Sequence, residues 1–385
     1  MKDDAASLKG SLRLLQASAF LSTFDRFTIA PMLVTIAAAL DVSLAEMSAA
    51  ASLYFLLYGL MQPVWGLLSD RLGRVRVIRL ALIGVLVPGL VSAFAPSLVV
   101  LVVARAVTGA LFAAVIPAAL VYIGDAVPAD ARQKALSNQL ATSGLATAFS
   151  TAAAGVAAYL DLWRVAFAVP VVAAVVLGLA LSRLPEPEHT DAGPLAGVTS
   201  FIKSPWAMLV VFLALVEGGV ILGFLTYLAP SLEAEGYGAA VSGLAVGLFG
   251  LATLVWSQVA PRLAATSGKP TLIMVGGVML AAGYATGALS QSFAGVALSA
   301  FLVGGGFAFM HPTLQNWATE VAPDARATVI SFFAAALFVG SGISTTLAAP
   351  LAEAGRFPLL FALAAATAVP LGLVGALARR RYARG

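Results

Sequence analysis

Apolar residues run through this chain in blocks of about twenty or more, separated by short polar punctuation. A bilayer core of about 30 Å needs roughly 20 apolar residues per helix. Cutting the chain at charge clusters and Pro/Gly breaks gives twelve such runs. They predict helices over 13–40, 47–68, 76–95, 97–123, 136–160 and 164–183, then 206–232, 238–261, 270–291, 293–319, 327–350 and 357–378. Between the two sets, Arg183–Pro205 is long and polar, with four prolines, three acids and a histidine. The organisation predicted is an N-terminal bundle over 1–182, a linker over 183–205 and a C-terminal bundle over 206–385. Acids at Asp3 and Asp4, with Asp25 and Arg26 inside the first apolar run, argue for an uncleaved first helix rather than a cleaved leader.

Composition narrows the class. Of 385 residues 61% are hydrophobic and 10% charged, against roughly 45–50% and 25% in soluble domains. So few charges cannot coat a water-soluble globule, which excludes a soluble enzyme, a nucleic-acid binder and a disordered chain. The chain is an all-α membrane protein embedded in a lipid bilayer. With no cysteine there is no thiolate metal site, and no cofactor is expected. With the N-terminus inside, 18 of the 22 basic residues fall on inner segments, two (Arg164, Arg356) on outer loops, and two (Arg26, Arg105) within spans. That asymmetry places both termini in the cytoplasm. The composition suits a bacterial inner membrane, and a monomeric bundle needs no further subunit.

The chain also repeats. A shift of about 192 residues lays Asp25 on Glu217, Arg71 on Arg262, and Asp161 with Arg164 on Glu353 with Arg356; a shift of 195 lays Phe112, Pro117, Asp125 and Pro128 on Phe307, Pro312, Glu320 and Pro323. Six spans per unit makes the two units parallel repeats. That arrangement suits a transporter whose site lies between two rocking bundles.

Between the second and third runs stands Gly66-Leu-Leu-Ser-Asp70-Arg71-Leu-Gly73-Arg74. This stretch resembles the signature loop of the major facilitator superfamily, G-x-L-x-D-R-x-G-R. Arg105-Ala-Val-Thr-Gly109 in the fourth run is similar to that family's R-x-x-x-G motif. The resemblance extends over the whole chain, and implies alternating access with Gly66, Asp70, Arg71, Gly73 and Arg74 as a gating loop. Asp70 is expected to cap a helix or pair with Arg71 or Arg74, latching the two bundles together at the cytoplasmic side. The second bundle's counterpart, Pro261-Arg262-Leu263 through Gly268-Lys269, lacks the aspartate, so the latch is expected to be asymmetric. Many proton-driven drug exporters of the family carry G-x-x-x-G-P-x-x-G-G in the fifth span. Here Gly144, Ala148, Ala152 and Ala153 keep the small residues, while Phe149 replaces the proline.

Two acids, Asp25 and Glu217, fall near mid-membrane. A charged carboxylate there costs at least about 2.5 kcal/mol, the situation of a group that exchanges a proton as substrate arrives. The plain alternative is a static ion pair with Arg105 or Arg26. Arg26 projects about 100° away from Asp25 on the helix. Val220, Phe224 and Tyr227 follow Glu217 at helical spacing, a face suited to a lipophilic substrate. His311 is the histidine within a span, a residue type able to exchange a proton at physiological pH, and has Phe307 and Gln315 one turn on either side. Tyr54 and Tyr58 stand one turn apart as candidate cavity wall. Pro117 and Pro312 are expected to kink the fourth and tenth helices.

No phosphate loop is present, because Gly268-Lys269 lacks the earlier glycine and precedes proline. Gly304-Gly305-Gly306 reads as close helix contact. Energy must therefore come from a gradient. The expected function is export of a small organic molecule in exchange for protons. Asp25, Glu217 and His311 would couple the proton, and Arg105 would tune it. The alternative is symport or uniport of sugars, organic anions or lipids, with Arg26 and Arg105 binding substrate. On the first reading, Asp25→Asn stops coupled transport and leaves folding intact.

Overall fold

The structure is a computed structural model that describes residues 2–187 and 201–384. Among the described residues there is no strand, and twelve helices are long and apolar enough to cross a membrane. They are α1 (Gly10–Ala39), α2 (Leu44–Leu72), α3 (Arg74–Ala93), α4 (Leu98–Ala126), α5 (Asp130–Tyr159) and α6 (Trp163–Arg183). The second six are α7 (Pro205–Ala234), α8 (Ala239–Ser267), α9 (Lys269–Leu289), α10 (Phe293–Glu320), α11 (Thr328–Glu353) and α12 (Phe357–Tyr382). All twelve predicted runs coincide with helices. The helices overrun the predictions where charge begins, because a helix does not stop where its side chains become polar: α5 starts six residues early, at Asp130, and takes in Arg132 and Lys134. Most of the linker, residues 188–200, lies outside the described residues.

Helix ends show local causes. Ser43 caps α2 in a reciprocal box: its hydroxyl accepts from Glu46 N at 3.1 Å while the Glu46 carboxylate accepts from Ser43 N at 2.9 Å. Gly66–Leu72, expected as loop, is instead about the last two turns of α2. The reversal into α3 is made by Gly73 alone, at φ +101°, a backbone conformation open essentially to glycine. Gly268 does the same between α8 and α9 at φ +77°.

Several spans are interrupted. A 3₁₀ turn over Ala30–Met32 breaks α1, and α4 breaks at Ala113–Ala114, one turn ahead of Pro117. Helix α7 passes through a π turn at Gly219–Gly223 and a 3₁₀ turn at Phe224–Tyr227. Helix α10, by contrast, stays helical through Pro312 from Phe293 to Glu320.

The first six helices meet the second six along two seams of small residues. On α5 and α8, a Cβ at Gly155 would lie 2.5 Å from Ala239 O, one at Gly243 2.3 Å from Thr151 O, and one at Gly250 2.5 Å from Gly144 O. On α2 and α11, a Cβ at Gly59 would lie 2.7 Å from Ala335 O. Such approach distances let backbones pack directly, the usual device of helix association in lipid. The triple glycine of α10 behaves as expected: a Cβ at Gly304 would meet Phe249 O of α8 at 2.4 Å.

One end of the bundle holds the arginine-rich turns at Gly73 and Gly268. At the opposite end the two sets are tied, with Glu353 accepting from Ala45 N at 3.0 Å and Ser52 donating to Gly342 O at 2.8 Å. Toward the basic end the packing thins. Helix α8 buries nine residues between Ala239 and Ala252 and none between Val255 and Ser267.

Candidate functional site

Centrally, Asp25 of α1 faces Arg105 of α4. Arg105 Nη1 donates to Asp25 Oδ1 at 2.9 Å, and Nη2 donates to Oδ2 at 2.9 Å and to the Asp25 carbonyl at 3.0 Å. Both side chains have zero exposure. The guanidinium lies 4.6 Å from the ring centre of Tyr54 and 4.7 Å from that of Phe167. This bidentate pair is the static alternative visible in the sequence. Every carboxylate oxygen has a donor, which is the condition under which a buried charge pair is tolerated.

The neighbouring Arg26 points elsewhere, as its helical offset requires. It sits among the rings of Phe27, Tyr58 and Phe338, at 5.3, 5.3 and 5.1 Å. Tyr58 and Phe338 are 4.4 Å apart, which joins α2 to α11 around it.

Glu217 of α7 meets His311 of α10, with Oε2 3.2 Å from Nδ1. Glu217 has zero exposure and its Oε1 has no hydrogen-bond partner, whereas the His311 side chain is 16% exposed. The imidazole stacks on Phe307 at 4.8 Å and lies 5.5 Å from Phe333. Gln315 is half-buried one turn further along α10.

The two acids do not occupy equivalent places. The reversed turns at Gly73 and Gly268 are 195 residues apart, as are the left-handed residues Asp41 and Gly236. At that register Asp25 corresponds to Val220 and Glu217 to Ser22. Glu217 is thus about one turn nearer the basic end. The expected Glu217–Phe224–Tyr227 face is also absent. The π turn adds a residue to the spiral, so that Phe224 packs edge-on against Tyr284 and the Tyr227 hydroxyl donates to Thr345 O at 2.5 Å. Both aromatics make packing contacts within the second six helices. Glycine at Gly218 permits that fit, since a Cβ there would lie 1.7 Å from Leu337 O.

At the basic end Arg74 pairs with Asp70 and reaches Asp125 at 3.5 Å, while Arg71 is exposed. The linker residue Glu186 accepts from Val75 N at 3.0 Å and Arg76 N at 3.2 Å, filling the space beside Gly73. All these partners belong to the first six helices and the linker, so the cluster does not latch the two sets to each other in this state. The second set has its own version. Glu320 pairs with Lys269 and, at 2.6 Å, with Arg379. The second set thus keeps the counterpart of Asp125 and lacks that of Asp70. The repeat lays Asp125 on Glu320, which is the sequence signal that links the second cluster to the first.

A sequence profile of the Major Facilitator Superfamily matches residues 16–345 and 232–384. The chain belongs to that superfamily. No curated protein matches it in sequence. Among solved structures it is similar to a bacterial homologue of the human lysosomal transporter Spinster in an inward-facing, unoccupied conformation. Identity is 16%, TM-score 0.78, and 98% of each chain is covered. It is similar also to the xylose transporter XylE from E. coli, partially occluded and inward open, at 16% identity and TM-score 0.73 over 95% of each chain. A third is a variant of the nucleoside transporter NupG, at 13% identity and TM-score 0.75, covering 94% of this chain and 98% of that one. At these identities the likeness is one of fold. This superfamily member is a multi-pass membrane transporter, not an enzyme.

Proposed function

We propose that the chain is a proton-coupled secondary transporter of small organic molecules, with Glu217 and His311 as its proton site. The observation that supports this reading is the free Oε1 of Glu217, buried without a donor beside an imidazole that retains some exposure. A carboxylate oxygen in that position is costly while charged. A proton on Glu217 or on His311 removes the net charge, and alternating access would let that proton load on one side and leave on the other. Asp25 and Arg105, with all carboxylate oxygens satisfied, act here as a fixed brace between α1 and α4.

Export in exchange for protons is the first mode we infer, since Gly144 and Ala148 keep a small-residue face like that of the proton-driven exporters, packed on α8. Uptake together with a proton is the second, favoured by the unpaired cation at Arg26. The membrane in question is the bacterial cytoplasmic membrane, with both termini inside.

Everted vesicles holding a stable pH gradient test the reading. Lipophilic cations, neutral sugars and organic anions are added singly, and proton movement is followed for the unaltered protein and for Glu217→Gln. Collapse of the gradient by one class, seen with the unaltered protein alone, is the expected outcome. Undiminished proton-coupled flux in Glu217→Gln would remove Glu217 from the proton path.

A further inference from the structure

Among the described residues four arginines are buried, and three of them, Arg74, Arg105 and Arg379, meet a carboxylate. Arg26, 9% exposed, meets none. Its surroundings are ring faces, which attract the positive charge but accept none of its in-plane N–H bonds. Its Nε has no hydrogen-bond partner, nor does the hydroxyl of Tyr58 against which it rests. A guanidinium presents five donors in a planar fork matched to a carboxylate, and here the fork is empty.

The surroundings continue across the interface. Phe27 lies 6.1 Å from Phe249, Phe249 lies 5.9 Å from Phe307, and Phe307 stacks on His311, which ends the file at Glu217. A small cavity adjoins Arg26 and is lined also by Phe55 and Thr151 of the first six helices and by Thr226 and Val246 of the second. One end of this path is an unanswered cation and the other a titratable pair, with aromatic surface between.

We propose that Arg26 is the docking group for an organic anion, a carboxylate borne on an aromatic body. The inference rests on the transporter reading above and names the substrate class of that same centre. The carboxylate takes the fork of Arg26, with the Tyr58 hydroxyl as a further donor, and the body lies along the rings of Phe27 and Phe249. Charge then closes throughout the centre. Asp25 cancels Arg105, the substrate cancels Arg26, and one proton shared by Glu217 and His311 cancels the last carboxylate.

Calorimetric binding to the full-length protein in lipid nanodiscs tests this without any gradient. The probes are aryl carboxylates from phenylacetate to 2-naphthylacetate, with phenylacetamide and phenethylamine as neutral and cationic counterparts. The carboxylates should bind at least tenfold more tightly than the amide. Arg26→Gln should remove that preference, while Arg26→Lys should retain part of it. Absence of binding by every carboxylate, a carboxylate no better than its amide, or preference for the amine would each overturn the proposal. If Arg26→Gln does not fold, the comparison of charged and neutral probes on the unaltered protein still decides it. The two readings fail separately. A wrong proton site leaves the carboxylate preference intact while Glu217→Gln transports normally, and a wrong docking group leaves proton-coupled flux sensitive to Glu217 with no anion bound.

Discussion

Replacing Asp25 by Asn converts a charge-neutral buried pair into a buried cation without a counter-charge. Three donor contacts now join Arg105 to Asp25, at 2.9, 2.9 and 3.0 Å, between side chains of zero exposure. The asparagine amide would present N–H to N–H at one of them, and Arg105 would keep the residue 25 carbonyl, one amide oxygen and the faces of Tyr54 and Phe167, but no counter-charge. Removing one partner of such a pair costs about 3–5 kcal/mol. At roughly 1–2 °C per kcal/mol, extending the length trend of smaller domains to this chain, the expected loss is about 3–10 °C in the apparent unfolding temperature. The expectation that this variant folds undisturbed is therefore replaced. Asp25→Asn together with Arg105→Gln removes both charges and should recover most of the loss, giving a coupling of at least about 2 kcal/mol in the double-mutant cycle. Thermal unfolding of the four purified proteins in one detergent, at one heating rate, measures it. An unfolding temperature within 1 °C of the parent for Asp25→Asn, against the several degrees reasoned here, or a double variant no more stable than the single, would refute the brace.

Two further substitutions probe geometry. Gly218→Ala places a Cβ 1.7 Å from Leu337 O across α7 and α11, so those helices must separate. Membrane-inserted yield and thermal stability should both fall, with a loss of about 3 kcal/mol or more, and an unchanged protein would show that α7 and α11 are not so close. Gly73→Ala strains a backbone at φ +101° and drives a methyl to 2.4 Å from the Glu186 carboxylate. The linker should release there, seen as faster amide exchange at Val75 and Arg76, whose N–H groups Glu186 now holds.

The twelve spans were legible because bilayer thickness imposes one length on every apolar run, and the repeat because its glycines, prolines and acids sit at turns that both units need. Asp25 with Arg105 was visible as one of two ion-pair partners, since few charges are available inside the membrane. Glu217 with His311 was not, because the pair lies 94 residues apart and the repeat offers Ile116 where His311 stands. The packing roles of Phe224 and Tyr227 were hidden for a different reason. A π turn has no sequence signature in a run of Gly-Val-Ile-Leu-Gly, and one added residue rotates everything beyond it. The counterpart cluster at Glu320 escaped notice because Arg379, which completes it, arrives from the last helix rather than from the turn.

The seam between α5 and α8 meets glycine on glycine, with a Cβ at Gly155 falling 2.9 Å from Gly243 Cα. A joint of interlocked side chains is toothed, and tilting it means lifting each tooth over the next with a change of rotamer. This joint is smooth. Where Gly155 meets Gly243 backbone bears on backbone, so rocking one set of helices against the other has no side chain to withdraw at that point. The stops of the stroke must then be supplied at the two ends, where charges gather, and the middle acts as a bearing.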